Sequence, residues 1–96
     1  MMTRVMVKFT GEMWARAGIG SAEFVFDGAT LDDLLDAVFA RYDLCDLVFA
    51  SRARDQFRFR SGVLINGRAA KLLGGLAAPI RDGDEVIVMR PAVAAV

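Results

Sequence analysis

Three acidic side chains near the end of the chain form the most closely spaced group that could do chemistry. Asp82, Asp84 and Glu85 lie in one short segment, DGDE, with a glycine inside it. Carboxylates this close can bind a cation, but the segment has neither the number nor the spacing of ligands in a calcium loop. A solvated tight turn accounts for the same residues, so we predict no metal site.

Histidine is absent from the chain, and Cys45 is its one cysteine. The commonest general base and metal ligand are therefore missing. The apolar neighbours Leu44, Leu47 and Val48 favour a small buried hydrophobe at Cys45 over a reactive thiol. No nucleophile lies beside a base, and there is no glycine-rich phosphate loop. We predict that the protein is not an enzyme and uses no cofactor.

Charged residues balance overall but are segregated along the chain. Lys+Arg and Asp+Glu are both 12, so no net charge points to nucleic acid. An acidic stretch precedes a basic one, and their members are Asp27, Asp32, Asp33, Asp36, Asp43 and Asp46, then Arg52, Arg54, Arg58, Arg60 and Arg68. We interpret them as a solvated helix face and a solvated loop. The alternative is a dipolar surface that orients a protein partner.

Phe57 and Phe59 alternate with arginines inside the basic stretch. Such interleaving can form a stacking platform for RNA. It is also typical of a half-buried strand. We adopt the strand interpretation and predict no nucleic-acid partner.

The composition is more apolar than is usual for a small domain. The 96 residues are 55% hydrophobic, with a mean hydropathy of +0.39. This length suits a single domain, so the surplus indicates a rich core or apolar surface kept for a partner. No signal peptide is visible, and no apolar run approaches the roughly 18 residues that cross a bilayer. With a single cysteine, we expect a cytoplasmic protein without a membrane partner.

Periodicity predicts the elements of the first half. Apolar residues alternate over 4–10 and again over 22–27, which predicts two strands. The glycine-rich segment 11–20 predicts a loop with one helical turn around Trp14. A helix is predicted at 31–42, with Thr30 as N-cap and Asp33 in the acidic position of a capping box. Its single apolar stripe consists of Leu31, Leu34, Leu35, Val38, Phe39 and Tyr42.

The second half is predicted to be mostly strand. A short helix at 44–49 precedes a strand at 58–65, a hairpin turn at Asn66-Gly67 and a strand at 68–72. The last strand, 85–89, has a continuous apolar run that predicts a central position with burial on both faces for part of its length. The order predicts an α+β roll of the β-grasp type, a four- to five-stranded mixed sheet with the first and last strands parallel at its centre.

One main helix can cover only one face of such a sheet. The opposite face is then open, and small domains of this kind use an apolar open face to meet another protein. We predict a partner-binding sheet face made by Met6, Lys8, Val86 and Val88.

Several short motifs follow one another in a set order. They are VMVKFTGEMWARAG and GATLDDLLDAVFARY, then Ile65-Asn66-Gly67-Arg68, Gly75-Leu76, Pro79-Ile80, Asp82-Gly83-Asp84-Glu85-Val86 and Pro91-Ala92-Val93-Ala94. Each is generic by itself. Their order and spacing together resemble the MoaD/ThiS family of ubiquitin-like sulfur carriers, with MoaD, the small subunit of molybdopterin synthase, as the type.

The resemblance implies a function that is carried by the C-terminus. In the family, an activating enzyme adenylates a terminal Gly-Gly, and sulfur then replaces one oxygen to give a thiocarboxylate. In molybdopterin synthase the tail enters the active site of the large subunit. The implied domain is 1–91, with a flexible tail at 92–96. The implied partner-binding tail is Arg90, Pro91, Ala92, Val93, Ala94, Ala95 and Val96.

The sequence departs from the family pattern at the glycine pair. Ala95 and Val96 follow the Pro-Ala-Val-Ala motif where Gly-Gly should stand. Glycine passes a narrow tunnel and accepts dihedral angles closed to other residues. Val96 is β-branched and places its bulk beside the carboxylate. Arg90 adds a charge where the family often has an apolar residue.

These observations predict a small non-catalytic MoaD-like protein that docks through its open sheet face and tail without being thiocarboxylated. The alternative is a functional sulfur carrier of the molybdopterin-synthase small-subunit type, activated at an atypical C-terminus. The implied partner is a molybdopterin-synthase large-subunit-like protein, an adenylating enzyme or a metalloenzyme. A homodimer through the open face is a further arrangement to consider.

Overall fold

The computed structural model describes residues 2–49 and 62–90, and the basic segment 52–60 and the tail 91–96 lie outside these ranges. The elements are β1 (Met2–Gly11), α1 (Glu12–Ala17), β2 (Ser21–Asp27), α2 (Leu31–Arg41), α3 (Cys45–Val48), β3 (Gly62–Ile65), β4 (Arg68–Ala69) and β5 (Glu85–Arg90). Two 3-10 turns, Ala70–Leu73 and Gly75–Ala77, connect β4 to β5. No helix in the described ranges is long and apolar enough to cross a membrane.

The sheet has five strands in the order β2-β1-β5-β3-β4. β1 and β5 are parallel at its centre, and the other neighbours are antiparallel. The predicted β-grasp roll, with its central parallel pair, is confirmed. The predicted hairpin turn is also present, because Leu64 pairs with Ala69 and Ile65 with Arg68 on either side of Asn66-Gly67.

Helix α2 packs its apolar stripe on one face of the sheet. Leu31, Leu34, Leu35 and Val38 are fully buried. They meet the inward side chains of the strands, which are Val5, Val7, Phe9, Phe24, Phe26, Val63, Ile65, Val86 and Val88. Only one face of the sheet is therefore removed from water by this layer.

The capping box predicted at the start of α2 is formed. The Thr30 hydroxyl accepts a hydrogen bond from Asp33 N at 3.3 Å. The Asp33 carboxylate accepts bonds from Ala29 N at 3.1 Å and Thr30 N at 3.3 Å. The bond from the Ala29 backbone, followed by those from Thr30, lowers the pKa of Asp33, because it stabilises the charged form.

The placement of Val86 and Val88 on the open face was wrong. In β1, Val7 pairs with Val86 and Phe9 pairs with Val88, and all four side chains lie in the core. Neighbouring residues on a strand point to opposite faces, so Ile87 and Met89 face outward. The prediction that this strand is buried on both faces holds fully only for the inner face, because the outward residues Ile87 and Met89 are half-buried.

Three local predictions were close but incomplete. The expected loop at 11–20 contains a six-residue helix, α1, which buries Met13 and leaves Trp14 exposed. The strand expected at 68–72 is only two residues long, because the chain turns into a 3-10 turn that buries Ala70. Cys45 packs against the core as the predicted small hydrophobe, but it is only half-buried.

We predict that Asp33→Ala destabilises the protein at neutral pH more than Asp32→Ala, the control in the same helical turn. Asp32 also faces the positive end of the helix dipole but lies outside the capping box. The pKa of Asp33 is lowered in the folded state. The stability that its carboxylate adds is therefore fully present at pH values above the unfolded pKa, and it is lost as the pH falls through the folded pKa. Urea unfolding at several pH values should therefore show wild type and Asp33→Ala converging in acid. A constant difference would contradict this account.

Candidate protein-docking face

The face of the sheet opposite α2 is open, and we call it the open face. It is formed by the outward side chains of four strands: Met2, Arg4, Met6 and Lys8 of β1, Glu23 and Val25 of β2, Leu64 of β3, and Glu85, Ile87 and Met89 of β5. All of them are exposed or half-buried. The period of two that buries one side of each strand places these residues together on the other.

An apolar strip lies on the β5–β3 side of the open face. Leu64 on β3 is directly opposite Ile87 on β5, and Met89 follows on the same face two residues later. On the next strand Met6 retains 40% exposure. Leu64, Ile87 and Met89 thus form an apolar strip over β3 and β5, and Met6 lies diagonally across from Ile87, on the other side of the Lys8–Glu85 ion pair.

Two ion pairs cross the open face beside the apolar strip. Lys8 Nζ lies 3.1 Å from Glu85 Oε2. Arg4 Nε lies 3.5 Å from Glu23 Oε1. All four side chains are about half exposed or more, so each pair adds little to stability. Their charges are available to orient a partner.

Of the four residues predicted for the docking face, the structure places Met6 and Lys8 on it. Val86 and Val88 belong to the core. Sequence reasoning missed Leu64, Ile87 and Met89. The sequence carries no local signal for them, because β5 is apolar on both sides; the in-register pairing with β1, which sets Val7 against Val86, is what turns Ile87 outward.

The open face continues toward the tail. Arg90 is the last residue of β5 and pairs with Gly11, the last residue of β1. The next residue, Pro91, begins the segment outside the described ranges. Met89 is therefore the last outward-facing residue of the open face in the described part of the chain.

The acidic segment near the end of the chain builds a turn. Asp82 Oδ1 accepts a bond from Arg4 N at 2.7 Å. Asp84 accepts one from Asn66 Nδ2 at 2.9 Å and another from Arg81 N at 2.8 Å. Within residues 2–49 and 62–90 no group of side chains is suited to hold a metal ion. Asp82 and Asp84 thus hold the backbone of the turn, Asp84 also holds the Asn66 side chain, and Glu85 pairs with Lys8.

The motif order described above corresponds to a defined family. The model of the ThiS family matches residues 7–93, nearly the whole chain. This chain belongs to the ThiS family. Its five-stranded sheet and main helix are the ubiquitin-like fold of the sulfur carriers and protein modifiers in that family. No curated protein sequence gives a significant match.

Solved structures with the same fold cover almost the full length of this ThiS-family chain. SAMP1 from Haloferax volcanii is 26% identical, with a TM-score of 0.78 over 96% of this chain and 99% of that one. The Amycolatopsis orientalis BexX/CysO complex contains a chain that is 26% identical, with a TM-score of 0.74 and coverage of 96% and 99%. The small archaeal modifier protein 1 from Methanosarcina acetivorans is 22% identical, has a TM-score of 0.79 and covers 99% of each chain. At that identity the likeness shows the fold alone.

We predict that threonine at position 87 is tolerated while threonine at position 88 is not. Both changes keep a β-branched side chain. Val88→Thr buries a hydroxyl in the core at a cost of about 2 kcal/mol, whereas the hydroxyl of Ile87→Thr reaches water and should cost under about 1 kcal/mol. Urea unfolding of the two variants tests the register of β5. Equal losses, or a larger loss at 87, would show that the register is wrong.

Proposed function

We propose that this ThiS-family protein works by docking on a partner protein through its open face and the segment 90–96, and that it carries no thiocarboxylate. The observation that supports it is the apolar strip on the β5–β3 side of the open face. Leu64, Ile87 and Met89 form this strip, the Lys8–Glu85 ion pair borders it, and Met6 lies beyond that pair. The partner lies in the cytoplasm in this proposal.

The composition of the open face suits association with another protein. Its apolar strip includes Met89, and Met6 lies beyond the Lys8–Glu85 pair; both have flexible side chains that adapt to different contact shapes. Its charged residues form pairs of opposite sign, so the face has no excess of positive or negative charge. This suits a partner with mixed charges at the rim of the contact. The BexX/CysO complex shows that a similar chain has been crystallised together with another protein.

The tail supports docking over sulfur transfer. After the Pro91-Ala92-Val93 motif, positions 95 and 96 are alanine and valine. Residues 91–96 contain no glycine pair, and a β-branched valine is stiffer and bulkier than glycine in a narrow tunnel. The tail can still lie in a partner's groove, with 1–91 as the folded domain and 92–96 as the arm.

The second candidate function is a working sulfur carrier of the molybdopterin-synthase small-subunit type. One observation favours it: the family match continues through Val93 and so includes the first half of the tail. A similar fold also occurs in a putative molybdopterin converting factor subunit from Pyrococcus furiosus. The activating enzyme would then have a channel that accepts valine.

The docking proposal is tested by changing the apolar strip without changing the core. The double variant Leu64→Thr/Ile87→Thr places a strand-favouring β-branched residue at both positions and should fold, but its affinity for the partner isolated with the wild-type chain should fall at least about tenfold. The matched control is Leu72→Thr, which changes a leucine that is 84% exposed on the 3-10 turn, away from the open face. Its affinity should stay within about twofold of wild type. If the double variant binds like the control, the open face is not the docking site.

The sulfur-carrier alternative is tested by intact mass after the protein is incubated with ATP, a sulfur donor and the host's adenylating enzyme. We expect no thiocarboxylate on the wild-type chain and its formation on the variant Ala95→Gly/Val96→Gly. Replacement of one oxygen by sulfur adds the same nominal mass as one oxidised methionine. The mass must therefore be located on the C-terminal peptide. A thiocarboxylate on the wild-type C-terminus would restore the carrier function.

A further inference from the structure

Methionines are concentrated on the open face. The described ranges contain four methionines, and three of them, Met2, Met6 and Met89, point outward from the open face. The fourth, Met13, is fully buried in the core. Exposure falls from 61% at Met2 to 40% at Met6, with Met89 half-buried. Within the described ranges the solvent-accessible methionines therefore lie where contact is proposed, and the one core methionine is out of reach of solvent.

Met6 has a polar environment that is unusual for an apolar side chain. On β1 it lies between Arg4 and Lys8, which point to the same side. It pairs with Glu23 on β2 and with Glu85 on β5. The four charged residues form the two ion pairs of the open face, one on each side of Met6. Cationic donors are thus next to a thioether that solvent can reach.

This arrangement suits the two-electron oxidation of a thioether by a peroxide. A lone pair of the Met6 sulfur attacks one oxygen of hydrogen peroxide, the O–O bond breaks, and after proton transfer the products are a sulfoxide and water. Sulfur is oxidised and the peroxide is reduced. The sulfoxide oxygen is a strong acceptor that Arg4 or Lys8 can reach as a donor, at the expense of the present ion pairs. A hydrogen bond from either residue would stabilise the sulfoxide. Forming it would also rearrange the charges of the open face.

We propose that the open face is a redox-sensitive docking surface, with Met6 as the modification site and a peroxide as the oxidant. This inference rests on the proposed docking function and names its regulation. The unmodified thioether is an apolar surface between the two ion pairs, and the sulfoxide places a strong dipole there that competes for their charges. The fold is unaffected, because the core methionine is protected. Thiol-dependent methionine sulfoxide reductases can reverse the change.

The first test measures where oxidation occurs on the folded protein. After brief treatment with dilute hydrogen peroxide, peptide mass spectrometry should show sulfoxide forming at Met6 at least about tenfold faster than at Met13. Retention on phenyl-agarose then probes the apolar surface without a partner. Wild type should elute earlier after treatment, as should Met2→Leu, whereas Met6→Leu should keep most of its retention. Equal oxidation of Met6 and Met13, or an equal loss of retention in Met6→Leu, would overturn the proposal.

The second test compares docking before and after oxidation. Binding to the isolated partner should weaken at least about tenfold for the peroxide-treated wild type and should recover after treatment with a methionine sulfoxide reductase. Whatever the affinity of untreated Met6→Leu, its treated and untreated forms should bind within about twofold of each other. If Met6 sulfoxide forms and binding is unchanged, while Leu64→Thr/Ile87→Thr abolishes it, the redox inference fails and the docking function stands. If the double variant also binds normally, the docking function itself fails.

Discussion

The parallel pairing of β1 with β5 determines the rest of the structure. It joins the two ends of the domain at the centre of the sheet, and its register sets Val7 against Val86 and Phe9 against Val88 on the side that α2 covers. A shift of one residue would turn both valines out and bring Ile87 and Met89 into the core. The same register places Arg90 beside Gly11 and so determines where the tail leaves the sheet. Core, open face and tail exit thus follow from one set of strand contacts.

Much of the fold could be predicted because its strongest signals are local. The stripe of leucines and the Thr30–Asp33 pair define α2 within a few residues, and Asn66-Gly67 marks a hairpin. The orientation of β5 could not be read in the same way. Its residues are apolar on both sides, so alternation within the strand gives no preference for Val88 over Ile87 as the inward residue. Only the contact with β1, about 80 residues away in the chain, resolves the choice.

The candidate site shows the same division between local and distant information. Met6 and Lys8 could be assigned to the open face because β1 alternates clearly between apolar and polar positions. Leu64, Ile87 and Met89 could not, since their common face depends on how three strands pair. The composition gave one further indication, as an apolar content of 55% exceeds the need of a small core. Part of that surplus is the apolar strip.

The ion pairs explain how a small protein can keep such a strip exposed. Exposed pairs of this kind contribute between about 0 and 1 kcal/mol, so stability does not account for Lys8–Glu85 and Arg4–Glu23. What they do is place four charges among the apolar side chains of one sheet face, where an uninterrupted apolar surface would promote association with any other apolar surface. A partner must therefore match both the apolar strip and the charges beside it, which selects among partners more than it adds to affinity. Because Met6 lies between the two pairs, a change of its polarity would disturb both parts of that match at once.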